Sequence, residues 1–370
     1  MSLNLPSTHN VPISWFNTYA SPSIKWRTLT EVLPAGSATD GEIEALKQEL
    51  LSYPKITQVV KKQRDTGVWA RNILGTGPSK AQGITDIGTV ARYRQLLELG
   101  LPRDSRPFRL ANRIFFRLLS RDDDPALLFE YKKWAKTYPE IGPWARKMMR
   151  EAVTATLAQS GLTEDPRVRG SAHRIATDVS NFLRGELADD PFVKKRGRWV
   201  LSPEANPPSL YSVAIVAYLE NFRRERASFI DRLAQYLARP APRKAYTLMF
   251  GRKVVQPELY VLGDPLKADS SGRPKDLPFA LYWIELLARL GYLESSATAV
   301  RILSRLLKDC NELGVWNPPG LRGFAKSPSK LADFAYPLEL DAKTAERRRA
   351  DVTFRLCLIA KLAGWELTYT

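Results

Sequence analysis

Cysteine and histidine are almost missing from this 370-residue chain, which carries two of each: Cys310, Cys357, His9 and His173. Two thiols exclude a disulfide-stapled scaffold and any four-cysteine zinc module. Two imidazoles leave little for a catalytic zinc held by several histidines. No stretch reaches the roughly 18 consecutive apolar residues of a membrane span. The N-terminal residues through Ile24 and Lys25 carry Pro, Ser and Asn but no continuous apolar core of the kind an export signal needs. Walker, Rossmann and Gly-x-Ser-x-Gly signatures are absent, and Gly75-Thr76-Gly77-Pro78-Ser79-Lys80 lacks phosphate-loop spacing. A cytoplasmic protein without metal, nucleotide or other cofactor is expected.

Acidic residues are also in short supply. Against 39 Asp+Glu stand 56 Lys+Arg, a net charge of +17. Residues 51–150 alone hold 20 Lys+Arg and 9 Asp+Glu, most of the surplus. Such a balance favours nucleic acid, another polyanion or an anionic surface as partner, although solvated basic faces give the same count. With 44% hydrophobic residues, the chain buries a sizeable core and is not disordered.

Apolar residues recur mainly at helical spacing. Thr85 to Leu99 places Ile87, Val90, Tyr93, Leu96 and Leu97 near one stripe, with Gly100 as the stop. Asp124-Pro125, Asp165-Pro166 and Asp190-Pro191 read as helix starts, the carboxylate capping free N–H groups and Pro fitting the first position. Leu281–Leu290, Ala297–Leu307 and Val352–Leu362 are apolar around much of the cylinder, as in helices buried on more than one side. Leu259–Leu262 is the best strand-like run. The class predicted is all-α.

A Gly-x-Trp triplet occurs at Gly67-Val68-Trp69, Gly142-Pro143-Trp144, Gly197-Arg198-Trp199 and Gly314-Val315-Trp316. Each is read as following an amphipathic helix and preceding a loop and another helix, so helical-hairpin repeats are expected. The first extends to Gln63-Arg64-Asp65-Thr66-Gly67-Val68-Trp69. It resembles the QW motif of the terpenoid cyclase and protein prenyltransferase superfamily, with its prenyltransferase and squalene-oxidase repeats. As a helix end the motif is sensible: Gly67 turns the chain, Gln63 bonds free carbonyls, and Trp69 plugs neighbouring helices. The resemblance covers roughly Ile24 to Trp365. It implies an (α/α) toroid, here residues 22–370 as a single body behind an N-terminal extension of residues 1–21.

The chemistry of that superfamily does not follow with the fold. Class II cyclases use Asp-x-Asp-Asp, whereas Asp122-Asp123-Asp124-Pro125 has Arg121 where the first Asp belongs and reads as a loop and cap. Zinc prenyltransferases use Asp, Cys and a later His, but Asp309 adjoins Cys310 and no His follows His173. Cys310 and Cys357 read as small core residues, and His173 as a surface or packed side chain. Asp86 and Asp333 each fall seventeen residues after a motif tryptophan, Trp69 and Trp316, and on the toroid reading begin inner helices. They are either catalytic cavity carboxylates or N-caps.

Basic clusters supply the remaining candidates: Lys61, Lys62, Arg64 and Arg71; Lys194, Lys195, Arg196 and Arg198; Arg223, Arg224 and Arg226; and Arg347, Arg348 and Arg349. Two flank a Gly-Trp motif, so one rim could present phosphate-neutralising charge beside stacking aromatics. The leading expectation is polyanion binding, nucleic acid first, with metal-free base-directed chemistry of the DNA glycosylase type as an extension. An isoprenoid enzyme of the terpenoid cyclase or prenyltransferase kind is the alternative, and a protein-binding repeat scaffold the third.

Overall fold

Cap residues and stop glycines punctuate this chain. Thr39 and Glu42 form a reciprocal capping box, and Asp124, Asp165, Asp276, Ser296 and Thr344 each accept a first-turn N–H. Gly100, Gly161, Gly291 and Gly364 end four helices at positive φ. In all four the residue after the glycine donates to the carbonyl five positions back, closing the turn.

The computed structural model describes residues 5–70, 72–75, 87–121, 123–257, 259–329 and 331–370. In order, these form β1 (Thr8–Val11), α1 (Ile13–Tyr19), α2 (Pro22–Arg27), α3 (Asp40–Ser52), α4 (Pro54–Lys61), α5 (Thr89–Glu98), α6 (Arg106–Ser120), α7 (Lys132–Thr137) and α8 (Ile141–Gln159). There follow α9 (Pro166–Arg184), β2 (Phe192–Lys195), β3 (Arg198–Leu201), α10 (Leu210–Tyr218), α11 (Glu220–Glu225), α12 (Ala227–Ala238), β4 (Leu248–Phe250) and β5 (Lys253–Val255). The chain ends with α13 (Leu277–Leu290), α14 (Ala297–Lys308), α15 (Ala345–Leu362) and β6 (Glu366–Tyr369). It is mostly helical, as expected, and the strands are short two-stranded pairs. Among the described residues no helix is long and apolar enough to cross a membrane.

Two units divide the chain. The first comprises residues 1–61, 95–102 and 266–370. In it α13 packs on α15, and β1 pairs in parallel with β6, so the segment read as an extension carries a strand of this unit. The second comprises residues 62–94 and 103–265, where α8 packs against α6, α9 and α10. In α8 the residues from Ala152 to Gln159 are all buried, in keeping with their small and apolar side chains and two threonines on successive faces.

Two of the four Gly-x-Trp copies share one geometry. In each, a residue four before the glycine pairs with the tryptophan, Gln63 with Trp69 and Cys310 with Trp316. Gly67 and Gly314 take φ of 89° and 86°. Each tryptophan N–H, buried, donates 3.1 Å to a threonine hydroxyl, Thr89 on α5 or Thr353 on α15. From that threonine to the stop glycine is the same eleven-residue step, Thr89 to Gly100 and Thr353 to Gly364. Gln63 Nε2 donates to the Gly67 and Pro107 carbonyls at 3.0 and 2.9 Å.

The other two copies depart from the expectation. Gly142 and Trp144 lie within the first turn of α8, where Pro143 fits as an early helical residue. Gly197 is the tip of the β2–β3 hairpin, with Trp199 on a strand. Asp190-Pro191 accordingly precedes β2 and caps no helix, because Phe192 and Val193 enter a ribbon closed by Arg196 and Gly197. Leu259–Leu262 makes one bridge, Tyr260 to Ser209, and no strand. Asp333 is half-buried in a turn, whereas α15 starts at Ala345 behind Thr344, so Asp333 begins no helix. Asp86 lies outside the described residues.

Unit 1 also buries a closed network of charge. Arg355 on α15 donates to Glu285 of α13 and Glu98 of α5, and at 2.9 Å to the Ala335 carbonyl. Arg27 of α2 donates to Glu98 at 2.7 Å and to Glu31 at 2.6 Å, while Arg289 bonds Glu285 at 2.9 Å. Three guanidinium groups therefore face three carboxylates. Against the desolvation of full burial, Glu98 and Glu285 hold the Arg355 pKa above its ordinary value.

Two outcomes are expected in denaturant unfolding. Gly314→Ala places a Cβ on the Asn10 carbonyl at positive φ and should cost about 2–4 kcal/mol, whereas Gly291→Ala, with open space around it, should cost about 1. Arg355→Met should cost about 3–5 kcal/mol by leaving three carboxylates against two guanidinium groups, and adding Glu98→Gln should return part of that loss.

Candidate polyanion-binding hairpin

β2 and β3 form an antiparallel ribbon in unit 2 in which Lys194 lies opposite Trp199 and Lys195 opposite Arg198. Opposite residues share a face, so Phe192, Lys194, Trp199 and Leu201 line one side and Val193, Lys195, Arg198 and Val200 the other. Val200 and Leu201 are buried and anchor the base. There Leu201 donates to the Thr247 carbonyl at 3.0 Å, and Thr247 donates to that of Trp199 at 3.1 Å. Beyond this bridge the tip projects with Lys194, Lys195, Arg196 and Arg198 all exposed. None of the four pairs with a carboxylate among the described residues.

The two-residue turn has positive φ at both positions, Arg196 at 50° and Gly197 at 74°. Such turns suit the twist of a hairpin and favour Asn or Asp followed by Gly. An arginine there is strained by about 1–2 kcal/mol. At the base, Lys244 Nζ lies 4.3 Å from the ring centroid of Trp199 and 5.5 Å from that of Phe192, and Phe192 packs against Tyr246 at 5.0 Å. Trp199 remains 38% exposed, unlike Trp69 and Trp316. Trp144 is packed away, its ring against Tyr131 and Phe250 and its N–H on the Tyr260 hydroxyl at 3.2 Å.

Other basic clusters are placed differently. Lys61, Lys62 and Arg64 are exposed beside the first Gly-Val-Trp turn, and Arg71 lies outside the described residues. Arg223 donates to the Val216 and Ala217 carbonyls at the end of α10, Arg224 pairs with Glu220 and Arg226 bonds His173 Nδ1. Arg347 pairs with Asp341, and Arg348 reaches the carbonyls of Ala342, Leu321 and Lys343. These arginines are engaged by carbonyls, carboxylates and a histidine of their own unit.

Several buried acids escaped the sequence reading. Asp351 on α15 accepts the backbone N–H groups of Leu338 and Glu339, the latter at 3.1 Å. Glu339 accepts that of Ser21 at 2.6 Å, and Lys55 Nζ donates to the Pro337 and Glu339 carbonyls. Burial, then the Asp351 charge, pushes Glu339 up to about 7. In unit 2, Glu130 accepts N–H groups from Ile73 and Leu74 at 2.9 and 2.8 Å, and Glu151 accepts the Ser209 hydroxyl; burial raises both. Each is held by donors of its own unit, which fits structural duty better than catalysis. Among the described residues no three His, Cys, Asp or Glu side chains come together as a metal site.

Burial lowers the His9 imidazole to about 4, opposite in sense to Glu339. The folded Glu339 binds its proton more tightly than the unfolded chain between its ordinary 4.5 and about 7, so its contribution is complete below that window and lost as pH rises through it. The His9 contribution is present above 6.5 and lost as pH falls toward 4. Each amounts to about 3 kcal/mol at most. Relative to the parent, Tm from pH ~4.5 to ~6.5 should therefore gain with rising pH in Glu339→Gln and lose in His9→Phe. Parallel profiles for the two variants would remove this assignment.

No protein-family model, no curated protein and no solved structure matches the chain, so its functional reading rests on the geometry above.

Proposed function

We propose that this chain binds a polyanion through the β2–β3 hairpin, with nucleic acid as the ligand class. The observation that carries the reading is Arg196 at the ribbon tip. Asparagine would relieve the turn, yet the position holds a strained cation between Lys195 and Arg198. Four unpaired cations on a projecting ribbon release phosphate counterions on binding, so affinity should fall steeply with salt. Lys61, Lys62 and Arg64 extend the exposed basic surface of the chain. Base-directed chemistry would need a carboxylate at an open pocket beside Trp199, and the buried acids are engaged elsewhere, so the proposal stops at binding.

On fold, the reading is an (α/α) toroid of helical hairpins, supported by the two equivalent Gly-Val-Trp turns and by the four helices that end at positive-φ glycines. The second functional reading, an isoprenoid enzyme, is favoured by one observation, the Gln63-Gly67-Trp69 turn built as the QW motif requires. A lined apolar cavity with a protonated carboxyl would be its signature.

Fluorescence anisotropy of labelled oligonucleotides with the full chain tests binding. Combining Lys194→Ala, Lys195→Ala, Arg196→Asn and Arg198→Ala should weaken affinity at least tenfold at low salt and reduce the log Kd against log salt slope by about 3. Arg196→Asn alone should raise the unfolding midpoint while weakening binding, the pattern of a strained functional residue. An unchanged affinity and slope in the fourfold variant would sink the proposal.

A further inference from the structure

We infer that Trp199 is a base-stacking platform and that the hairpin's ligand is single-stranded nucleic acid, an inference that rests on the polyanion reading above. Trp199 is 38% exposed, whereas Trp69 and Trp316 are buried and Trp144 is partly so, and it shares its face of the ribbon with Lys194 as well as Phe192 and Leu201. Lys194 faces it across the ribbon, and Lys244 Nζ lies 4.3 Å from its ring centroid. An exposed indole beside Lys244, itself 3.5 Å from the Asp190 carboxylate, and opposite Lys194 in register matches the repeating chemistry of a strand, whose bases offer π faces and whose backbone offers a negative charge at each step. Lys195 and Arg198, on the opposite side, can take neighbouring phosphates.

The ribbon's width argues against a duplex at this residue. Thr247 adds a third backbone segment beside β3 at Trp199 and Val200. Three segments about 4.8 Å apart, with side chains, exceed the roughly 12 Å major groove, which admits two strands. Only the tip from Lys195 to Arg198 is narrow enough to enter. In a duplex Trp199 would be left outside, with every base face covered by its neighbours. Inorganic polyphosphate and anionic lipid supply charge but no ring to stack.

The test compares Trp199→Ala and Trp199→Phe on four probes: oligothymidine, a DNA duplex, long-chain polyphosphate and vesicles containing phosphatidylserine. Trp199→Ala should weaken oligothymidine binding by about 5- to 100-fold with an unchanged salt slope, while Trp199→Phe stays within about threefold of the parent. Binding of the duplex and of polyphosphate should hardly change. An equal loss on polyphosphate, or no loss on oligothymidine, would overturn the stacking role and leave polyanion binding standing. Tighter parental binding to vesicles or duplex than to oligothymidine would overturn the ligand class. Failure of the parent to bind any probe, or indifference to the fourfold hairpin variant, would instead strike the polyanion reading and this inference with it.

Discussion

Arg355 is the residue around which unit 1 is assembled. It lies in the middle of α15, fully buried, where a single charge would cost several kcal/mol. It is tolerable because Glu98 and Glu285 reach it from α5 and α13, Arg27 sharing Glu98 Oε2 with it and Arg289 taking the other oxygen of Glu285. The alternation of sign closes through partly exposed Glu31, 2.6 Å from Arg27 and 4.0 Å from Arg289. Every member depends on the others: removing one guanidinium leaves two carboxylates facing each other in a dry interior. Helix packing by apolar side chains tolerates small slips, but a guanidinium fork fixes distance and angle. The network therefore specifies which segments meet, joining residue 27, residue 98, residue 285 and residue 355 from all along the chain. It thereby ties together the three sequence segments of unit 1.

The two Gly-Val-Trp turns are the local counterpart of that long-range constraint. In both, a positive-φ glycine lies where any side chain would strike a backbone carbonyl, Leu110 in one case and Asn10 in the other. In both, the tryptophan amide is satisfied by a threonine on the following helix, so the turn and the helix are set together. One copy lies in each unit. Burying each indole brings its backbone N–H into the interior, where a threonine hydroxyl accepts it.

Helices were legible in the sequence where apolar periodicity was uninterrupted, as for α13, α14 and α15. Their buried charges were not, yet a signal was present. Glu285 sits inside LYWIELLARL, and Asp351 and Arg355 flank VTF in an equally apolar context. A charged residue surrounded on the helix by apolar ones has no solvated face, so it implies a partner of opposite sign or a cluster of backbone donors. What the sequence could not reveal is which partner, because Glu98 and Arg27 come from segments distant along the chain. The Gly-x-Trp triplets failed in the opposite way. Two fixed letters matched four times, but Gly142-Pro143-Trp144 and Gly197-Arg198-Trp199 obey other local rules, proline at a helix start and a two-residue hairpin turn.

The charge surplus has to be divided by use before it speaks about partners. Arg27, Arg289 and Arg355 are cancelled internally, and Arg223, Arg226, Arg347 and Arg348 are consumed by carbonyls, a histidine and a carboxylate within their own unit. A basic residue so engaged adds to the net charge but offers no vacant donors to a ligand. The cations of the β2–β3 hairpin differ in kind: they are exposed, unpaired and close together, and one is held at a backbone angle that arginine disfavours. Residues 51–150 contain more of the net charge, yet ten residues from Phe192 to Leu201, with four cations and no acid, concentrate the part that is free to act. Local availability, rather than the total of +17, is what makes the hairpin the site at which a polyanion would be recognised.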